Sequence, residues 1–202
     1  IALCAGLGYP IYIQDILTVI QLLLQFRTYI RLGVFDALMV GQLVPPSHAS
    51  RMPYCLWGVI LYPSDLGQIG KTGTSDDAVL IDSETWLGPF LQLLTNGRDK
   101  NELLWTQPGA AVNAKFKTAV AALNLTALKP VRYSLRHGGA SDDLLNRRRS
   151  IEEVKKRGQW RTDSSLRRYG KETKALSQIH LMPPPVMEFG QKVAENLESV
   201  FN

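Results

Sequence analysis

Between Arg147 and Lys171 the chain places ten basic residues (Arg147, Arg148, Arg149, Lys155, Lys156, Arg157, Arg161, Arg167, Arg168 and Lys171) against three acids, Glu152, Glu153 and Asp163. Such a run either holds a polyanion or solvates a helix face, and alone it favours neither reading. A net charge of +5 over 202 residues is compatible with a polyanionic partner but too common to establish one. Other chemistries are less well served. Cys4 and Cys55 lack a CxxC spacing, and His48, His137 and His180 are scattered, so the sequence predicts a reducing compartment, no metal and no cofactor. The GKTG at 70–73 is too short for a phosphate-cradling loop, which needs GxxxxGK[ST], and Gly138-Gly139 reads as an allowance for close helix packing.

The sharpest motif lies across and ahead of the basic run: YSLRHGGASDDLLNRRRSIEEVKKRGQWRTDSSLRRYGK, residues 133–171. It resembles the C-terminal signature of the tyrosine recombinases (phage-integrase type), in which an H-x-x-R helix start is followed by a His or Trp after a glycine and then by a nucleophilic tyrosine. Arg136 precedes Trp160 by 24 residues and Trp160 precedes Tyr169 by 9, intervals that suit the family. Upstream, RTYIRLGVFDALMVGQLVPP resembles the segment of the first catalytic arginine, which falls on Arg31. IGKTGTSDDAVLID resembles the hairpin turn of the catalytic lysine, which falls on Lys71. The resemblance spans about residues 12–172. Each residue singly has a structural explanation; four pieces in order with fitting intervals carry the reading.

The resemblance implies that Tyr169 attacks a backbone phosphate, forming a 3′-phosphotyrosyl bond. The chemistry suits these residue types. Extra negative charge builds on a pentacoordinate phosphorus, and the guanidiniums of Arg31 and Arg136 can clamp its non-bridging oxygens with paired donors, each donor being worth about 10²–10³ in rate. A tyrosine ionises near pH 10, and a cationic pocket, to which Arg167 and Arg168 would add, favours the attacking phenolate. Lys71 would protonate the leaving 5′ oxygen, and the Trp160 indole N–H would donate to a phosphate oxygen while its ring packs against the helix bearing Tyr169. The bond formed resembles the bond broken, so rejoining needs neither ATP nor metal.

Two positions depart from the family pattern. Tyr133 stands where a His or Lys is usual, able to donate a hydrogen bond but poor as a proton acceptor. Val34 stands where an acid usually follows the first arginine, with Asp36 nearby in sequence. His137 reads as a buried residue that hydrogen-bonds behind the site rather than touching the phosphate. The resemblance implies double-stranded DNA as partner, a homo-tetramer on DNA, an intracellular location with the DNA (nuclear if the source is eukaryotic), no membrane and no small-molecule substrate. Arg147, Arg148, Lys155, Lys156, Arg161, Arg167 and Arg168 are the expected DNA contacts. A non-catalytic DNA-binding relative and a type IB topoisomerase-like enzyme are the alternatives.

The elements that must position these residues follow from periodicity and breakers. The chain can bury one full core. It opens at Ile1 without a signal-peptide pattern and reads as a fragment lacking the family's N-terminal clamping domain. Residues 11–30 carry apolar side chains at spacings of three and four, interrupted by Gln14, Asp15, Gln21 and Gln25, which predicts a buried helix rather than a membrane span. Arg31 falls at or beyond its end. Leu38–Val44 is a short element stopped by Pro45-Pro46. Two strands are expected at 55–62 and 78–82, joined by the turn that carries Lys71. Helices are expected at about 134–146, 150–158, 163–171 and, after Pro183-Pro184-Pro185, 186–200. The expected fold is therefore α+β, mainly α, with a small antiparallel sheet. Residues 1–172 form the catalytic domain and 173–202 a tail whose helix packs in cis or is exchanged between protomers.

Overall fold

A computed structural model describes residues 13–47, 55–70, 73, 75–166, 169–170 and 172–200. Helix α1 (Ile13–Thr28) runs through the middle. Ile20 and Leu24 are buried on it, and so are Gln21, Gln25 and Thr28, polar residues that meet partners rather than water. Gln25 accepts from Arg132 Nε at 2.9 Å and Gln21 donates to Asp36 at 3.3 Å. The glutamines that interrupt the apolar pattern thus mark a polar seam in the core. Among the described residues no helix is long and apolar enough to cross a membrane.

After α1 the chain turns through Tyr29 and Arg31 into the short α2 (Leu32–Asp36), then a 3-10 turn at Val40–Gln42 and strand β1 (Leu43–Val44). β1 pairs antiparallel with β2 (Trp57–Leu61), and β2 with β3 (Asp77–Ile81), with Leu43 opposite Val59 and Trp57 opposite Ile81. Alternation puts Trp57, Val59, Leu61, Val79 and Ile81 on the buried face. Leu87, Leu91 and Leu94 close over this core from a 3-10 turn and helix α3 (Gly88–Thr95). Strand β1, not anticipated from the sequence, is two residues long and is held by pairing rather than by its own periodicity.

Helix α4 (Gly109–Ala122) precedes the motif-bearing helices. α5 (Ser134–Leu145), α6 (Ile151–Arg157) and the single turn α7 (Asp163–Leu166) follow. α6 opens with a reciprocal cap: Ser150 Oγ accepts from Glu153 N–H while the Glu153 carboxylate accepts from Ser150 N–H. α5 lies against α1. A Cβ on Gly139 would overlap the carbonyl oxygen of Phe26, and one on Gly138 would press on the Phe26 ring at 3.2 Å, so the pair serves the close packing expected of it. Helices α8 (Glu172–Ile179) and α9 (Pro184–Glu195) and a 3-10 turn at Glu198–Val200 end the described chain.

The described helix there runs Asp163–Leu166, and Tyr169, expected within a helix over 163–171, lies in a turn. The tail holds two helices where one was expected: Glu172–Ile179 lies before the Pro183-Pro184-Pro185 break, and the helix expected over 186–200 runs Pro184–Glu195. The observed architecture is α+β, mainly helical, with one three-stranded antiparallel sheet.

Candidate active site

Three chain turns meet where α1, α5 and α6 end or begin. The first is Tyr29–Arg31, just beyond α1. The second is Tyr133–His137, at the start of α5. The third is Gly158–Trp160, just beyond α6. At their junction the consecutive carbonyls of Gly158 and Gln159 each accept from one guanidinium: Gly158 from Arg136 Nη2, and Gln159 from Arg31 Nη2 at 3.2 Å. Arg136 gives its Nη1 to the carbonyl of Tyr29, and Arg31 gives its Nη1 to the Tyr62 hydroxyl at 3.3 Å. The Arg136 guanidinium also lies over the Trp160 ring, 4.2 Å from its centroid.

The acceptors around this pair are neutral. Among the described residues no carboxylate comes within ion-pair distance of Arg31 or Arg136, whereas the other deeply placed arginines have one. Arg132, 2% exposed, is gripped by both oxygens of Asp36 at 2.9 and 2.5 Å. Arg149 and Arg157 share Asp82, and Arg149 also reaches Asp143. Arg136 is as buried as Arg132, at 2%, yet its charge is uncompensated. Burial pulls its pKa down to about 10, with the positive charge of Arg31 adding to the effect while the Tyr133, Tyr169 and Tyr62 hydroxyls oppose it. It is still a cation at neutral pH, so the site carries two positive charges that no carboxylate among the described residues offsets.

Aromatic rings form the opposite wall. Tyr169 stacks on His137 at 4.9 Å with an 18° interplanar angle, His137 meets Tyr133 edge-on at 4.9 Å, and Trp160 lies between Tyr169 at 5.5 Å and Tyr29 at 6.2 Å. Tyr169 belongs to a small second core with Tyr29, Ala140, Val154 and Leu166. Gly158 makes room for this wall, since a Cβ there would overlap the Trp160 ring.

Three of the four residues that hold the two guanidiniums, Tyr29, Tyr62 and Gln159, have positive φ, at 40°, 54° and 55°. For residues with a Cβ this conformation costs about 1–3 kcal/mol each and persists only where surroundings impose it. Here the surroundings are visible. Tyr29 donates its hydroxyl to Asp143, and its ring lies under Arg157 at 5.5 Å. Burial, then that bond to a carboxylate, pushes its pKa well above the usual tyrosine range. The Gln159 amide donates to Asp77 at the start of β3 at 2.9 Å.

Of the residues singled out in the sequence, Arg31, Tyr133, Arg136, Trp160 and Tyr169 therefore come together, while Lys71, Arg167 and Arg168 lie outside the described residues. His137 is half-buried between two tyrosine rings, not sealed in the core. Asp36 does not serve Arg31, as its place in the sequence suggested; it is turned to Arg132. Among the expected DNA contacts, Arg147 and Lys156 are exposed, as is Arg161. Lys155 is paired with Asp163 at 2.6 Å, and Arg148 with Asp142 and Asp143, so the charge of these two is already engaged. Tyr29, Tyr62, Arg132 and the Gln159 carbonyl were missed. Arg132 had a signal, standing one helical turn before Arg136 beside two core glutamines; the positive-φ residues had none. Among the described residues no group of three or more His, Cys, Asp and Glu side chains is placed to hold a metal ion.

No protein-family model matches the sequence, and no curated protein matches it. Among solved structures, the chain is similar to the crystal structure of XerH site-specific recombinase bound to palindromic difH substrate, a post-cleavage complex. The TM-score is 0.50 at 14% identity, covering 80% of this chain. The likeness is one of fold, and the chain spans 44% of the length of that neighbour.

Proposed function

We propose that this chain is the catalytic part of a DNA strand-transferase of the tyrosine recombinase type, cleaving and rejoining double-stranded DNA through Tyr169. One observation carries the reading: two guanidiniums, Arg31 and Arg136, that among the described residues are held by neutral acceptors alone, beside the packed rings of Trp160 and Tyr169. A phosphodiester supplies the missing negative charge, and more of it in the transition state than in the ground state, so the pair stabilises what reaction creates. The likeness in fold to a site-specific recombinase supports the same reading.

In the proposed step the Tyr169 oxygen bonds to phosphorus as the bond to the 5′ oxygen breaks. The phenolic proton is lost to solvent or a neighbouring base, and the 5′ oxygen gains a proton, a role we assign to Lys71. Arg31 and Arg136 take the non-bridging oxygens, the Trp160 N–H adds a donor, and Tyr133, 42% exposed at the pocket rim, donates from its hydroxyl. Attack by a free 5′ hydroxyl on the phosphotyrosine reverses the step. Assembly of four protomers on two duplexes belongs to the same proposal, with residues 173–202 as the linking tail.

The test is incubation with a pool of nicked suicide duplexes followed by denaturing electrophoresis. A covalent adduct formed by the parent and lost in Tyr169→Phe is expected. DNA retention without adduct would instead favour a non-catalytic relative, a reading to which Tyr133 in place of a stronger base lends weight.

A further inference from the structure

We propose that Tyr62 is the positioning residue for Arg31, doing with a neutral phenol what a carboxylate does for Arg132. This rests on the proposed strand-transfer reading and adds a residue to it. Tyr62 follows the last residue of β2, and its ring is half-buried against the main core. Its hydroxyl accepts from Arg31 Nη1 at 3.3 Å, and with the Gln159 carbonyl it makes up the side-chain hydrogen bonds of that guanidinium among the described residues.

The backbone is arranged to put it there. With φ at 54°, Tyr62 leaves the extended path of β2, and no glycine supplies the turn. Its carbonyl accepts from Asp76 N–H at 3.0 Å, and Asp76 also has positive φ, at 55°. The Asp76 carboxylate in turn accepts from Ser64 N–H at 2.8 Å and Ser64 Oγ at 2.6 Å. The two sides of the β2–β3 connection are thereby locked together at its root, and the locked residue is the one touching Arg31.

The chemical sense lies in the comparison between arginines. Arg132 is held by the Asp36 carboxylate and its charge is cancelled, as suits a structural residue. A carboxylate on Arg31 would orient it equally well but would compete with the phosphate. A phenol hydroxyl is a neutral acceptor, so it orients the guanidinium and leaves its charge available. Val34, standing where an acid could have anchored Arg31, is consistent with that division of labour.

The experiment compares the parent, Tyr62→Phe, Tyr62→Glu, Arg31→Ala and the Arg31→Ala/Tyr62→Phe double variant. Single-turnover cleavage of the nicked duplex pool, DNA retention and thermal midpoint are read in parallel. Tyr62→Phe keeps the ring and should fold, bind DNA as the parent does and cleave about tenfold more slowly, the loss expected for one hydrogen bond to a charged group. Tyr62→Glu should be slower still, because it neutralises Arg31. The double variant should be no slower than Arg31→Ala alone, since the phenol acts only through that guanidinium. A purely structural role would lower the midpoint and multiply the two defects. Parental cleavage by Tyr62→Phe, multiplied defects, or a Tyr62→Glu faster than Tyr62→Phe would each overturn the proposal while leaving strand transfer intact. Absence of any Tyr169-dependent adduct from the parent would instead remove the reaction in which Tyr62 acts.

Discussion

At the scale of single residues, the pocket separates arginines that build the protein from arginines that await a ligand. Arg136 is the sharpest case, because it lies as deep as Arg132 yet meets carbonyls where Arg132 meets a carboxylate. Arg136→Lys keeps the charge but loses the forked donor geometry. We expect single-turnover cleavage to fall by about 10²–10³ with DNA retention preserved. Stability should fall by about 1–3 kcal/mol as a buried carbonyl loses its donor, read from urea unfolding. Gly158→Ala acts from the other side. Its Cβ would enter the space of the Trp160 ring, so cleavage and stability should both drop, the latter by about 1–3 kcal/mol. A variant with parental unfolding would show that the turn yields more easily than its geometry implies.

At the scale of elements, the site is the meeting point of helix ends, and its accuracy depends on how α1, α5, α6 and β3 are pinned. Behind the pocket Asp82, Glu84, Asp142 and Asp143 engage Arg27, Arg148, Arg149 and Arg157. Burial works to raise the Asp82 pKa, but Arg157 and Arg149 overcome it and hold it below the usual carboxylate range. A depressed folded-state pKa stabilises the fold above the unfolded value, near pH 4, and that contribution is lost as pH falls through the folded value. Urea unfolding should therefore weaken from pH 5 to pH 3, and Asp82→Asn should narrow the difference between those two conditions. Gly139→Ala tests the α1–α5 contact: its Cβ would meet the Phe26 carbonyl, and the thermal midpoint should fall by about 2–4 °C for each kcal/mol lost.

This is also the scale at which sequence reading reached its limit. The order of helices, the two longer strands and the glycine pair were legible because periodicity, prolines and glycines act locally. Arg31, Arg136, Trp160 and Tyr169 stood out because their spacing matches a family pattern. Strand β1 was hidden because pairing with β2 creates it. Tyr29, Tyr62 and Gln159 were hidden because tertiary contacts impose their positive φ. Asp36 misled because nearness in sequence to Arg31 says little about a short helix whose carboxylate turns toward Arg132.

At the scale of the whole molecule, a mainly helical body carries the Arg31–Arg136 pair with its aromatic neighbours, and a tail follows it. Helices α8 and α9 bury no side chain among the described residues, and Leu176, Ile179, Leu181 and Met187 remain exposed on them or beside them. Duplex binding should depend strongly on salt, since neutralised phosphates release counter-ions. Arg31→Ala should reduce the slope of log K against log salt by about one. A slope unchanged by that substitution would mean Arg31 does not face a phosphate.

Four tyrosines, Tyr29, Tyr62, Tyr133 and Tyr169, surround the arginine pair, and the account assigns them different tasks. The most direct measurement is to trap the covalent protein–DNA adduct, digest both components and locate the nucleotide-bearing peptide by tandem mass spectrometry. A single modified residue, Tyr169, linked through a 3′ phosphate, is the expected result. A nucleotide on Tyr133 or Tyr62, a 5′ linkage, or an adduct that persists in Tyr169→Phe would contradict it.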